Sequence, residues 1–270
     1  MSARLFFHVI SVEARRRMSY RVDFWLTALV SFATQLGVVY FVWTSLFAES
    51  GKTTMGGYTL DGMLLYYVAV LLVGKLVRGV EFDNHVSQDI YEGGLNRYLV
   101  FPTSYFLFKY AQNLGALLPA LMQLALFGVW FLFVLDLPPD VQLTPLTVAM
   151  GLVSVAVANL LYFVMLFPLR CVAFWADNVW SLVVALRFTS GILGGFLIPL
   201  SVFPEWSRAI LAWLPFRFLF DFPVNVTLGK IPAGEWALGL GLALAWAGVM
   251  ALIGRVVWRR GELQYSGIGI

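Results

Sequence analysis

The chain has 270 residues, of which 60% are apolar and only 12% charged, with a formal net charge of +3. A water-soluble globule is excluded, since such domains run nearer half apolar and a quarter charged. The 23 Phe and 10 Trp exclude disorder, and the single cysteine, Cys171, excludes a disulfide framework. The composition describes an all-α integral membrane protein, a single transmembrane domain over 1–270.

Residues 1–22 mix Phe6, Phe7, Val9, Ile10 and Val12 with a basic cluster ending at Arg17. They read as a helix along the membrane interface, rings in the acyl region and arginines among anionic head groups. The plainer alternative is flanking charge that only sets topology. No apolar run with a small-residue exit is present, so no cleavable signal is expected.

A helix needs about 20 apolar residues to cross the hydrocarbon core. The first span is 24–48, where Thr34 and Gln35, with Ser31 one turn earlier, make a mild polar stripe suited to helix packing or a pathway. Gly51-Lys52-Thr53 looks like the end of a phosphate-binding loop, but Leu46 stands where that loop needs glycine. The second span is 60–77, with Lys75 near its end and placed to snorkel.

The segment 78–102 carries Phe82, Val86 and Ile90 every four residues, with Glu81, Asp83, Asp89 and Glu92 on other faces and Gly93-Gly94 as a stop. With no domain of its own to pack on, such a helix reads as a docking element for another chain; the alternative is a helix resting on the lipid surface, against which its four acids argue because the inner leaflet is negatively charged.

The third span, 104–135, includes Lys109 close to its start, again placed to snorkel, and is stopped by Asp136-Leu-Pro-Pro-Asp140. The fourth is 144–167, closed by Pro168. The fifth, 179–199, contains Arg187, which either faces the protein interior, on a partner or a substrate's anionic part, or snorkels towards the cytoplasmic face. Gly191 and Gly195 form a small-x-x-x-small pair in it. Residues 200–235 are apolar but broken by Pro204, Pro215, Pro223 and Pro232, with Pro199 at the entry. They read as short re-entrant or surface helices before the sixth span, 236–257.

Arg4, Arg15, Arg16, Arg17 and Arg21 at one terminus, and Arg255, Arg259 and Arg260 at the other, place both termini in the cytoplasm. The segment 78–102 is then cytoplasmic and 200–235 outward-facing, where Arg208, Arg217 and Lys230 weaken the bias but are balanced by Glu205, Asp221 and Glu235. His8 and His85 lack partners at metal-ligand spacing, and no Gly-x-Ser-x-Gly elbow is visible. No catalytic, cofactor or metal site is expected.

Three stretches resemble the permease subunits of type-2 ABC exporters, in particular a subgroup often encoded as paired permeases. They are Ile90-Tyr-Glu-Gly-Gly-Leu-Asn-Arg-Tyr-Leu-Val-Phe-Pro102; Ile198-Pro-Leu-Ser-Val-Phe-Pro-Glu-Trp206 with Leu214-Pro-Phe216, Phe222-Pro223 and Leu228-Gly229; and the tail Gln264-Tyr-Ser-Gly-Ile-Gly269. The resemblance implies a six-span fold with an interfacial helix and an outer re-entrant hairpin. It also implies a coupling helix around Phe82, Val86, Asp89, Ile90 and Glu92 that sits on a cytoplasmic ATPase. The implied assembly is a permease homodimer, or a heterodimer with a sister permease, on an ABC ATPase dimer that binds the ATP and Mg. Membrane lipids are the other partners, nucleic acid is not one, and the expected location is the bacterial cytoplasmic (inner) membrane. The tail's Gln264, where a basic residue is commoner, and the acidic coupling region depart from the pattern. The alternative function is an ATP-independent secondary transporter or channel, against which no internal repeat is found.

Overall fold

The computed structural model describes residues 1–19, 21–79, 86–101, 103–134, 138 and 141–265. The chain opens with α1 (Ala3–Met18), capped by the Ser2 hydroxyl, and continues into α2 (Arg21–Ser50). Helix α3 (Leu60–Arg78) starts where the Thr59 side chain accepts from the Gly62 amide. Two short helices follow, α4 (Val86–Tyr91) and α5 (Asn96–Leu99), then the long α6 (Tyr105–Val134). Helix α7 (Pro145–Cys171) has a reciprocal cap between Thr144 and Thr147, with proline at its first position. Helix α8 (Trp180–Leu193), α9 (Glu205–Leu211), α10 (Asp221–Thr227) and α11 (Ala233–Glu262) complete the fold.

Among the described residues, five helices are long and apolar enough to cross a membrane: Trp25–Ser50, Leu60–Arg78, Tyr105–Val129, Pro145–Phe174 and Ala233–Glu262. The fifth expected span, 179–199, is instead the 14-residue α8. At 1.5 Å per residue it covers about 21 Å of a core roughly 30 Å thick. The sequence after it stays uncharged to Pro204, but Gly194 and Gly195 end the helix. The amides of Phe196 and Leu197 both turn back to the Gly191 carbonyl, at 3.0 and 2.8 Å. Gly195 has φ +87°, and a Cβ there would lie 2.8 Å from the Tyr66 hydroxyl.

Helices α3 and α7 are the buried pair, whereas α2 is almost wholly exposed. Helix α11 lies along α7 through a stripe of small buried residues, Gly239, Ala243, Ala247, Gly254 and Gly261. Phe222, Phe167 and Phe174 fill the hollows over its three glycines. The last carbonyls of α3 find partners inside the bundle: Asn159 Nδ2 donates to Leu76 O at 3.0 Å and Val77 O at 3.2 Å. Asn113 in turn donates to Asn159 Oδ1 at 3.1 Å. A helix end within the apolar interior needs such satisfaction, because no water is there to supply it.

The bundle has two distinct ends. At one, the Tyr105 ring stacks on Trp258, and Phe174 packs edge-on against the same indole. Helix α1 lies along α6 beside this end, close enough that a Cβ on Gly115 would meet Ile10 O at 2.6 Å. At the other end Tyr58 donates to Asn225 Oδ1 at 2.9 Å, and the Gln142 amide donates to Leu228 O at 3.1 Å.

Candidate functional site

At the Trp258 end α4 lies against the helices of the bundle. Val86 and Ile90, at 0% and 1% exposure, are inside the core rather than on a free face. Helix α4 packs on α7 and the 3-10 turn Val172–Phe174. Thus the apolar stripe has a surface of this chain to bury against. Glu92 is exposed, as are Gln88 and Asn96. Phe82 lies outside the described residues.

Asp89 is the fulcrum of this packing. Its Oδ2 accepts from Lys109 Nζ and from the Tyr105 hydroxyl, both at 2.7 Å, and its Oδ1 accepts from Arg97 at 2.9 Å. Lys109 therefore does not snorkel; it is sealed against Asp89 and lies 4.8 Å from the Tyr98 ring centre. One carboxylate with two cations and a hydroxyl has its acceptor sites filled, which is the condition for tolerating a buried charge. The Asp89 carbonyl also accepts from the Leu95 amide at 2.7 Å, and Gly93, with φ +70°, makes the intervening turn. Finally the Tyr91 hydroxyl donates to Ala176 O at 2.9 Å. Lys75, expected to snorkel, donates to Gln123 of α6.

The residues singled out inside the spans are not gathered into one site. Thr34 and Gln35 face away from the rest of the chain on α2, where Gln35 donates to Ser31 O at 3.1 Å. Arg187 is half-buried in α8. Gly191 is in α8, 3.3 Å from the Arg78 guanidinium by its Cβ position, whereas Gly195 lies beyond the helix end. The two glycines therefore do not form one helical packing face. Arg78 itself is clamped over the Phe196 and Phe220 rings, at 4.1 and 5.0 Å.

At the Tyr58 end a cavity of about 410 Å³ opens between the Gly56-Gly57 turn, the start of the 3-10 helix Leu200–Val202, α9 and α10. Arg208, Arg217 and Lys230 line it, together with one acid, Asp221. Asp221 lies outside the membrane-spanning helices; its amide donates to Gly194 O at 2.9 Å and its carboxylate accepts from Asn225 at 3.0 Å. Burial pushes this carboxyl up to about 6, although Arg217, with its Nε 3.8 Å away, pulls the other way. In the sequence these three cations only weaken the charge bias and are offset by Glu205, Asp221 and Glu235, and the prolines among them are the available signal.

A helical bundle with five membrane-length apolar helices, and with no strand among its described residues, is a multi-pass membrane protein. Residues 33–269 match the family model described as ABC-2 family transporter protein. The match covers most of the chain, and the protein belongs to that family, whose members are membrane permease components rather than ATPases and generally work with a cytoplasmic ATPase. No curated protein matches the chain.

Proposed function

We propose that this chain is the transmembrane subunit of an ATP-driven exporter, forming the pathway with a second copy or a sister permease. ATP and Mg would bind in a cytoplasmic ATPase dimer that docks at the Trp258 end. The observation that carries this reading is the anchoring of α4 by Asp89, Lys109, Val86 and Ile90. A coupling element must be rigidly joined to the body it moves, while offering a face to the motor. The buried stripe serves the first need, and Gln88, Glu92 and Asn96 provide the exposed face. Closure of the ATPase would push α4 and, through the Asp89–Lys109 pair, the start of α6, shifting the bundle between two states of differing affinity for substrate.

The topology follows from the two ends. The chain leaves α7 at the Trp258 end and reaches α10 at the Tyr58 end, so α8 and the turn after it carry it across. On this reading the chain crosses six times, with both termini on one side. The basic residues of α1 and of the end of α11 favour the cytoplasm for that side, and the inner membrane of a bacterium for the location. Residues 200–235 would then be the outward re-entrant segment. The exposed Thr34–Gln35 face of α2, together with Arg187 and Gly191 of α8, is offered to the second permease or the pathway.

The test is purification of the tagged chain in mild detergent, with identification of co-purifying subunits and an ATPase assay. Glu92→Arg combined with Gln88→Arg alters the exposed face without touching the core. We expect an ATPase to co-purify with the native chain and to be lost from this variant. A chain that purifies alone under several mild conditions would favour the ATP-independent carrier or channel instead.

A further inference from the structure

The cavity at the Tyr58 end is not used by ATPase coupling, which belongs to the opposite end. Its lining holds three cations against one acid. The acid is already engaged, by Asn225 and beside Arg217. Arg208 stands 3.7 Å from Glu205, whose side chain is 94% exposed, so that pairing is solvent-screened and weak. Ser201 lines the same cavity, and its Oγ is buried without a hydrogen-bond partner among the described residues. The volume is within the roughly 300–1,000 Å³ typical of small-molecule sites.

The surface beside this cavity is apolar and aromatic. Helix α9 and the residues after it turn Arg208 and Ala212 to the cavity, while Trp206, Ile210 and Trp213 are strongly exposed. Exposed indoles next to arginines at the end of an apolar bundle mark the level of lipid head groups.

We propose that the cavity lined by Arg208, Arg217 and Lys230 binds the phosphate-bearing head group of an anionic membrane lipid, with its acyl chains running past Trp206, Ile210 and Trp213. Charge complementarity selects the anion, and the adjoining indoles select a lipid over a free ion. The cavity presents a net positive lining when Asp221 is ionised, and a larger one when it is protonated. The proposal needs only that the chain is embedded in a bilayer, so its failure would leave the coupling reading intact.

The experiment reconstitutes the full chain, with any subunits that co-purify, into bilayers of phosphatidylglycerol and phosphatidylcholine. After gentle re-extraction, native mass spectrometry counts each lipid retained per chain. The native protein should enrich phosphatidylglycerol at least about fivefold, the effect of roughly one net cation near a lipid phosphate. Arg208→Gln with Lys230→Gln keeps the Arg217–Asp221 contact and should abolish the enrichment, while Lys52→Gln, exposed outside the cavity, should preserve it. A melting curve on each variant confirms folding. Should Arg208→Gln with Lys230→Gln unfold the chain, the single changes are read in its place. Equal enrichment in native and cavity variants would overturn the proposal. So would retention of inorganic phosphate by the delipidated native protein with no preference between the two lipids.

Discussion

Lys109 of α6 and Asp89 of α4 meet at 2.7 Å with both side chains nearly sealed from solvent, at 4% and 3% exposure. Taking either charge away leaves the other buried without its main partner, at a cost of about 3–5 kcal/mol, whereas replacing both removes the penalty. Arg97 and Tyr105 remain on Asp89 when Lys109 is lost, so Lys109→Met should be the milder single change. Thermal unfolding of Asp89→Asn, Lys109→Met and the double variant checks this. Additive losses would refute a coupled pair.

Val86 and Ile90 are core residues, so cutting them back should act on stability before it acts on docking. Ile90→Ala is expected to cost about 2–5 kcal/mol, with Val86→Ala costing less. Hydrogen exchange across 86–91 should show the segment opening in these variants but not in Glu92→Arg. Unchanged protection in Ile90→Ala would mean that the stripe is not what holds α4.

Asp221 predicts a pH dependence of stability. Its folded carboxyl is raised to about 6 by burial, above its ordinary value, so between about pH 4 and 6 the folded chain holds a proton that the unfolded chain has released. This contribution is therefore greatest at low pH and is lost as pH rises through 6, with a ceiling of about 3 kcal/mol. Relative to Asp221→Asn, the native protein should gain stability from pH 7 to pH 4.5, measured by melting temperature. Arg217 stands 3.8 Å from the carboxylate, while Arg208 and Lys230 line the same cavity, and the three will blunt the effect. A constant difference between the two proteins would refute it.

Gly195→Ala should destabilise by at least about 1–2 kcal/mol, the cost of a side chain in the left-handed region. Crowding by the Tyr66 hydroxyl, which donates to the Gly195 carbonyl at 2.7 Å, adds to this. Gly37→Ala, where a Cβ meets nothing, should be neutral or mildly stabilising. Parallel melting curves of the two variants make the comparison.

Much of the architecture was legible because the bilayer imposes a one-dimensional rule: an uncharged run of sufficient length becomes a helix. Within 24–48, 60–77, 104–135, 144–167 and 236–257 the described residues form long helices for that reason. At 179–199 only the 14-residue α8 forms, and it ends where Gly195 takes φ +87° and the Phe196 and Leu197 amides turn back to the Gly191 carbonyl. Nothing in an apolar run states how closely its neighbours will approach.

Periodicity likewise showed that Val86 and Ile90 share a face, but not what that face meets. Only the return of α4 onto α7 and the Val172–Phe174 turn decided that the stripe is internal, and only the arrival of Lys109 made Asp89 the joint between α4 and α6. The cavity cations are spread over 22 residues of sequence and share a site because proline-broken helices fold together there. Sequence by itself determined the solvent each segment inhabits, since hydropathy and charge are properties of residues taken in order. Contacts between distant segments, and thus every candidate site, were decided by tertiary packing, because a buried charge or an unfilled hollow exists only once its neighbours are in place.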